Sequence, residues 1–301
     1  MNPIAVTVRV PATSANLGAG FDCLGLALDI FASIRVSFTA AEQPPTEDVG
    51  EKMVLTAVRQ TYLRMGRTPP AGLAAKYQVA IPLGRGMGAS AVARVAGVLA
   101  ANEAEGCPLE VEECLAIASD LEGHGDNACP AMFGGMQVCV GGEGHYLHVA
   151  CRYPQDAGLA ILVPDHSMAT KDARRVLPET YSKADTVHNI GRAALFVAAM
   201  AAGRMDLLDE ATQDRVHQPQ RAALFPPLFD IFAAAKGAGA HAAWLSGAGS
   251  SVAAICTGDS VREVATAMLA TLEGAGMTGR TLVTRIAPRG AEVATVELLE
   301  A

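Results

Sequence analysis

Between residues 81 and 91 the chain reads Ile81-Pro82-Leu83-Gly84-Arg85-Gly86-Met87-Gly88-Ala89-Ser90-Ala91. Glycine at every second position lets a backbone turn tightly and approach a ligand with no side chain in the way. The Ala-rich run that follows starts a helix near Ser90, and a helix start offers unpaired N–H groups and the positive end of a dipole. Together these suit an anion such as phosphate, with the Ser90 hydroxyl available to phosphate or metal. A plain strand-to-helix turn is the alternative. The Gly-Lys-Ser/Thr ending of a Walker A loop is missing, and the spacing is G-x-G-x-G, not the G-x-G-x-x-G of dinucleotide folds.

Four further segments could carry chemistry. Pro11 to Asp22 packs Thr13, Ser14, Asn16, Gly18 and Gly20 directly after a strand, and Asp22 could orient a substrate hydroxyl while Asn16 donates to or accepts from a polar ligand. In Glu122-Gly123-His124-Gly125-Asp126-Asn127, a carboxylate closes a helix against the dipole. That makes Glu122 a reasonable magnesium ligand, since Mg²⁺ takes one or two carboxylates plus phosphates. Asp126 or Asn127 can equally be an N-cap, and His124 reads as structural. Thr170 and Arg174 share a helix face at i, i+4, and Arg221 is an isolated cation suited to carboxylates. Leu245 to Val252 is a Gly-rich loop between strands. No G-x-S-x-G elbow or H-E-x-x-H zinc motif occurs. His145 and His148, three apart in a strand, face opposite sides.

These segments need a scaffold. Val6, Val8 and Val10 alternate with polar or small residues in a first strand, and Ile34, Val36 and Phe38 alternate in a second. Helices are expected at about 47–65, 90–104 and from Val111 to Leu121, with strands at 77–81, 136–140 and 146–150. A domain boundary falls in the polar, Pro-containing segment 152–158. The second half reads strand 159–163, helices at about 170–177, 186–202 and 226–236, strands 242–246 and 252–257, helix 259–273 and strand 280–286. Mixed strands and helices without a barrel repeat give a two-domain α+β protein, 1–155 and 156–301.

The composition limits the function classes. The chain has 301 residues, 50% hydrophobic and 18% charged, so a large core is available and disorder is excluded. The net charge of −8 disfavours sequence-independent nucleic-acid binding. No apolar stretch reaches the roughly 18 residues of a membrane span. An odd count of seven Cys without CxxC, and an N-terminus without a basic or apolar leader, point to reduced thiols in the cytoplasm.

The order of motifs resembles the GHMP kinase superfamily, and its homoserine kinase branch above all. PATSANLGAGFD, IPLGRGMGASAVA, EGHGDNACPAMFGG, TKDARRVLP, HNIGRAALFVAAM, DRVHQPQR and LSGAGSSV carry the likeness over nearly the whole chain. The resemblance implies an N-terminal domain like ribosomal protein S5 domain 2, a ferredoxin-like C-terminal domain, and a cleft between them for ATP and an amino acid. It implies transfer of the ATP γ-phosphoryl group to the side-chain hydroxyl of L-homoserine, in threonine biosynthesis, with Mg²⁺, by a homodimer. By position, Pro82, Leu83, Gly84, Arg85, Gly86, Met87, Gly88, Ala89, Ser90 and Ala91 match the phosphate loop. Ser90 and Glu122 match the magnesium site. Asn16 and Asp22 match the first substrate motif, with Asp22 at the reacting hydroxyl. Asn127, Arg174 and Arg221 match positions holding the amino-acid end, and Thr170 matches a pocket Thr near the phosphates. Asp22, Asn16 and Thr170 are thus the implied catalytic set. Met87 replaces the usual Leu, and Ala89 the first Ser of a Ser-Ser pair. Another small-molecule kinase of the superfamily, of mevalonate or shikimate type, and a sensor without turnover are the competing readings.

Overall fold

The alternation that begins at Ile4 runs further than Val10. In a computed structural model that describes residues 3–299, β1 spans Ile4–Ala15 and β2 spans Leu24–Thr39, paired antiparallel along most of their length. The register slips between Pro11 and Thr13, where proline has no N–H for the ladder. The loop expected from Pro11 is therefore shorter, and Thr13 and Ser14 belong to a strand. β2 likewise starts ten residues before Ile34, because Leu24, Leu26 and Leu28 continue the buried alternation.

Helix α1 (Val49–Arg64) follows, capped by Asp48, whose carboxylate accepts from the Glu51 amide. β3 (Gly72–Val79) pairs with β2, and its small residues Ala74 and Ala75 hide the strand from a periodicity reading that began at Tyr77. α2 (Ala89–Ala104), α3 (Val111–Glu122) and the short α4 (Ala128–Phe133) lead to the hairpin β4 (Met136–Gly142) and β5 (His145–Cys151). β6 (Ala157–Pro164) opens the second half. It is followed by α5 (Thr170–Arg175), α6 (Lys183–Ala202), α7 (Leu208–Ala211), α8 (Gln218–Arg221) and α9 (Leu228–Gly237). Then come β7 (Ala242–Leu245), β8 (Val252–Thr257), α10 (Ser260–Gly274), β9 (Gly279–Arg285) and β10 (Glu292–Leu298).

The second sheet runs β7-β8-β6-β9 with every pair antiparallel. With α9 between β6 and β7 and α10 between β8 and β9, this is the split β-α-β order of a ferredoxin-like domain. Its two faces explain why β6 is an unbroken apolar run. Leu159, Ile161 and Val163 face the core shared with β1, β2 and α2, whereas Ala160 and Leu162 face α9 and α10 with Leu228, Ile231, Val264 and Met268. A sheet covered on both sides needs hydrophobic residues at every position.

The expected boundary at 155/156 separates the two sheets with one exception. β10 returns to the first sheet and pairs with β1, Ile4 opposite Leu298. All seven of its residues are exposed, so this edge strand lacks the half-buried alternation that would have announced it. Among the described residues no helix is long and apolar enough to cross a membrane.

Candidate active site

The glycine-rich loop lies where three loops cross. Gly84, Gly86 and Gly88 have φ of 66°, 72° and 66°, a left-handed backbone at every second residue. A Cβ on Gly86 would stand 2.1 Å from the Ser246 carbonyl oxygen, and one on Gly88 would stand 1.8 Å from Thr13 Oγ1. The alternation turns the loop's carbonyl groups onto protein donors. Gly84 O accepts from the Met168 amide, Arg85 O from the Ser251 amide, Gly86 O from Ser246 Oγ at 2.6 Å, Met87 O from the Thr13 amide, and Gly88 O from the Val92 amide. Among the described residues, no amide from Gly84 to Ala91 donates to a protein group. A run of N–H groups that opens a sixteen-residue helix and has no internal acceptor is an anion cradle.

The other two loops are stitched together as well. Gly247 N donates to Ala15 O, Trp244 Nε1 to Ser14 Oγ at 3.0 Å, and Asn16 Nδ2 to Gly247 O at 2.9 Å. The Asn16 carbonyl oxygen accepts from the Asp22 amide at 3.0 Å. Asn16 (φ 70°) and Asp22 (φ 57°) are both left-handed, a conformation Asn and Asp tolerate better than most residues. The buried Asn16 side chain thus ties Gly247 to the Asp22 backbone, and its second N–H is not used by these bonds.

Asp22 meets Arg174 across the cleft in a two-pronged ion pair, Nη2–Oδ1 2.8 Å and Nη1–Oδ2 3.1 Å. Arg221, only 2% exposed, is anchored from beneath. Its Nε donates to Ala173 O, and its Nη1 contacts Gly247 O and His217 Nδ1, each at 3.0 Å. Nη2 has no hydrogen-bond partner among the described residues. Burial first, and then the nearby Arg174, bring the Arg221 guanidinium down to about 10. His217 Nε2 faces Gly18 O at 2.8 Å, which with Arg221 on Nδ1 fixes the neutral Nε2–H form. Full burial takes its pKa to about 4 despite the neighbouring Asp214. Phe21 stacks on His217 and lies under both arginines.

Glu122 ends α3 beside the cradle. Its Oε2 accepts from Ser90 Oγ at 3.1 Å, and its Oε1 forms an ion pair with Arg94. Burial raises its pKa, and Arg94 is the largest force against that rise. A hydroxyl and a carboxylate oxygen this close are hard donors of the kind magnesium takes, so the pair fits that ion. Two residues on, His124 Nδ1 contacts Asp126 Oδ1. Burial opposes charge on His124, but the Asp126 carboxylate outweighs it and the pKa rises. Asn127 accepts from Thr13 Oγ1 at 2.7 Å and donates to Asp126 Oδ1 at 3.3 Å.

The loop glycines, Asp22, Ser90, Glu122, Arg174 and Arg221 line one cleft of about 330 Å³, walled by both halves of the chain. Of the residues singled out in the sequence, Asn16, Asp22, Leu83, Gly84, Arg85, Gly86, Gly88, Ala89, Ser90, Glu122, Asn127, Thr170, Arg174 and Arg221 all border it. Pro82, Met87 and Ala91 do not: Met87 in the loop and Ala91 in the first turn of α2 are buried in the core. Sequence reasoning passed over Arg94, Phe21 and His217, read Asp126 only as a possible N-cap, and set His124 aside. Arg94 had one signal, its place one turn after Ser90 on α2.

A glycine cradle for an anion, a hydroxyl–carboxylate pair for a cation and a buried arginine floor, on an antiparallel sheet joined to a ferredoxin-like sheet, define a small-molecule kinase of the GHMP class. Residues 52–135 match the GHMP kinases N terminal domain, and residues 196–274 match GHMP kinases C terminal. The chain is 44% identical over 257 residues to homoserine kinase of Deinococcus radiodurans, covering 82% of each. It is 43% identical over 278 residues to that of Gloeobacter violaceus, covering 88% of this chain and 92% of the other. The crystal structure of homoserine kinase from Cytophaga hutchinsonii superposes with a TM-score of 0.86 at 26% identity, covering 96% of both chains. The chain belongs to the homoserine kinase family.

Proposed function

We propose that this enzyme transfers the γ-phosphoryl group of ATP to the side-chain hydroxyl of L-homoserine, giving O-phospho-L-homoserine and ADP. The observation that carries the reading is the joining, in one cleft, of the free-amide loop with Asp22, Arg174 and Arg221. Phosphoryl transfer asks mostly for alignment and charge neutralisation. The loop amides from Gly84 to Ala91 hold the phosphates, and Ser90 and Glu122 would hold Mg²⁺. When bound, that ion neutralises charge on the phosphates.

Arg174 and Arg221 receive the substrate carboxylate. Arg174 reaches it by giving up part of its pairing with Asp22, and Asp22 is thereby released to accept a hydrogen bond from the substrate hydroxyl. That oxygen forms the new bond to the γ-phosphorus, the bond to the β,γ-bridging oxygen breaks, and the hydroxyl proton leaves along the Asp22 contact. Thr170, at the first turn of α5, and Asn127 line the same cleft, and the family likeness supports a place near the phosphates for Thr170 and near the amino acid for Asn127. The seven free thiols support a cytoplasmic setting. The family likeness supports a homodimer, testable as a solution mass of twice 31.0 kDa.

The test is ADP release with Mg-ATP and L-homoserine, with mevalonate and shikimate in parallel. Turnover with homoserine alone is expected. An inert homoserine beside an active competitor would overturn the substrate, and ligand binding without any ADP would make the protein a sensor.

A further inference from the structure

Ser90 and Arg94 stand one turn apart on the same face of α2, and both reach the last residue of α3. They divide the Glu122 carboxylate between them: Ser90 Oγ donates to Oε2, and the Arg94 guanidinium stands against the buried Oε1 as an ion pair, a charge contact without hydrogen-bond geometry. Among the described residues Arg94 has no other ion-pair partner, and its side chain is 20% exposed beside a Glu122 side chain at 8%. Its charge also lies at the C-terminal end of α3, where a cation is favoured and the carboxylate is not.

We propose that Arg94 is a specificity-determining residue that restricts Glu122 to one-oxygen ligation and so favours Mg²⁺ over Ca²⁺. The inference rests on the reading of Ser90 and Glu122 as the metal pair. Mg²⁺ demands a compact octahedron and takes carboxylates through single oxygens, whereas Ca²⁺ accepts seven or eight ligands and readily takes a carboxylate through both. The positive charge of a guanidinium against Oε1 repels a second cation from that oxygen and leaves Oε2 for the ion. Loss of Arg94 leaves both oxygens open in a site already lined by hard donors, which is the arrangement the larger ion prefers. Partners of this outer kind typically shift metal affinity by about 10- to 100-fold.

The experiment is calorimetric titration of Mg²⁺ and of Ca²⁺ into the full-length protein holding a non-hydrolysable ATP analogue. Wild type, Arg94→Met, Arg94→Lys and Glu122→Gln are compared, with circular dichroism to confirm folding. The readout is the ratio of the two dissociation constants, in which a general loss of nucleotide affinity cancels. Arg94→Met keeps the stem's packing and should move the ratio toward Ca²⁺ by on the order of 10-fold, with Arg94→Lys between it and wild type. Glu122→Gln should weaken both ions. An unchanged ratio in Arg94→Met, with Glu122→Gln weakened, overturns the role of Arg94 alone. Unweakened binding in Glu122→Gln overturns the metal pair, and this proposal with it.

Discussion

Replacing Asp22 by Asn tests whether the free enzyme keeps its substrate arginine occupied. Asp22 and Arg174 hold each other through two bonds, but their side chains are 33% and 39% exposed. Solvent screens a pair this open, so it is worth about 0.5–1 kcal/mol. A carboxylate substrate must offset that amount to claim Arg174. Asp22→Asn removes the competitor, and a ligand that needs only the arginine should bind about two- to five-fold tighter, by the usual conversion of free energy to affinity. L-2-aminobutyrate, which is homoserine without its hydroxyl, is such a ligand, and its dissociation constant can be measured by calorimetry. The same variant should turn over homoserine more slowly, by about 10²- to 10⁴-fold if Asp22 takes the proton and by much less if it only orients the hydroxyl. Arg174→Ala should act in the other direction, raising the KM for homoserine. Unchanged or weaker binding of L-2-aminobutyrate to Asp22→Asn would show that the pair does not restrain Arg174, and the exchange described above would be wrong.

Gly88→Ala should cost at least about 1–2 kcal/mol from its left-handed backbone alone, and more from the clash 1.8 Å from Thr13 Oγ1. Urea denaturation measures the stability loss, and the KM for ATP should rise with it; a variant as stable as wild type would refute the geometry. His217 is neutral in the folded state with a pKa of about 4, below the ordinary 6.5. The unfolded chain therefore binds the proton first, and stability falls as the pH drops from 6.5 toward 4. That amounts to about 2 kcal/mol between pH 7 and pH 5 by linkage. His217→Asn should flatten this limb of the stability profile, and an equally steep profile in the variant would remove His217 as its cause.

Much of the chemistry was legible in the sequence because it is local. Alternate glycines before a helix dictate a left-handed, amide-rich loop wherever they occur, since no other residue fits that backbone without strain. Strand alternation located β1 and β2, an unbroken apolar run located β6, and motif order placed the chain near its family. Reading failed where a pattern depends on what covers an element: β10 is exposed along its whole length and carries no core face, and β3 begins in small residues. Partnership was equally invisible. Asp22 and Arg174 were read as two separate substrate contacts, yet 152 positions apart they neutralise each other. Asn16 was read as a substrate contact; it borders the cleft, and its amide also joins Gly247 to Asp22, a link no motif announced. The sequence set which groups are available and the local conformations they tolerate. Which charge faces which, and which amides stay free, was decided only when β6 brought the two sheets onto one core, because Coulomb and hydrogen-bond energies depend on distance in space and not on separation along the chain.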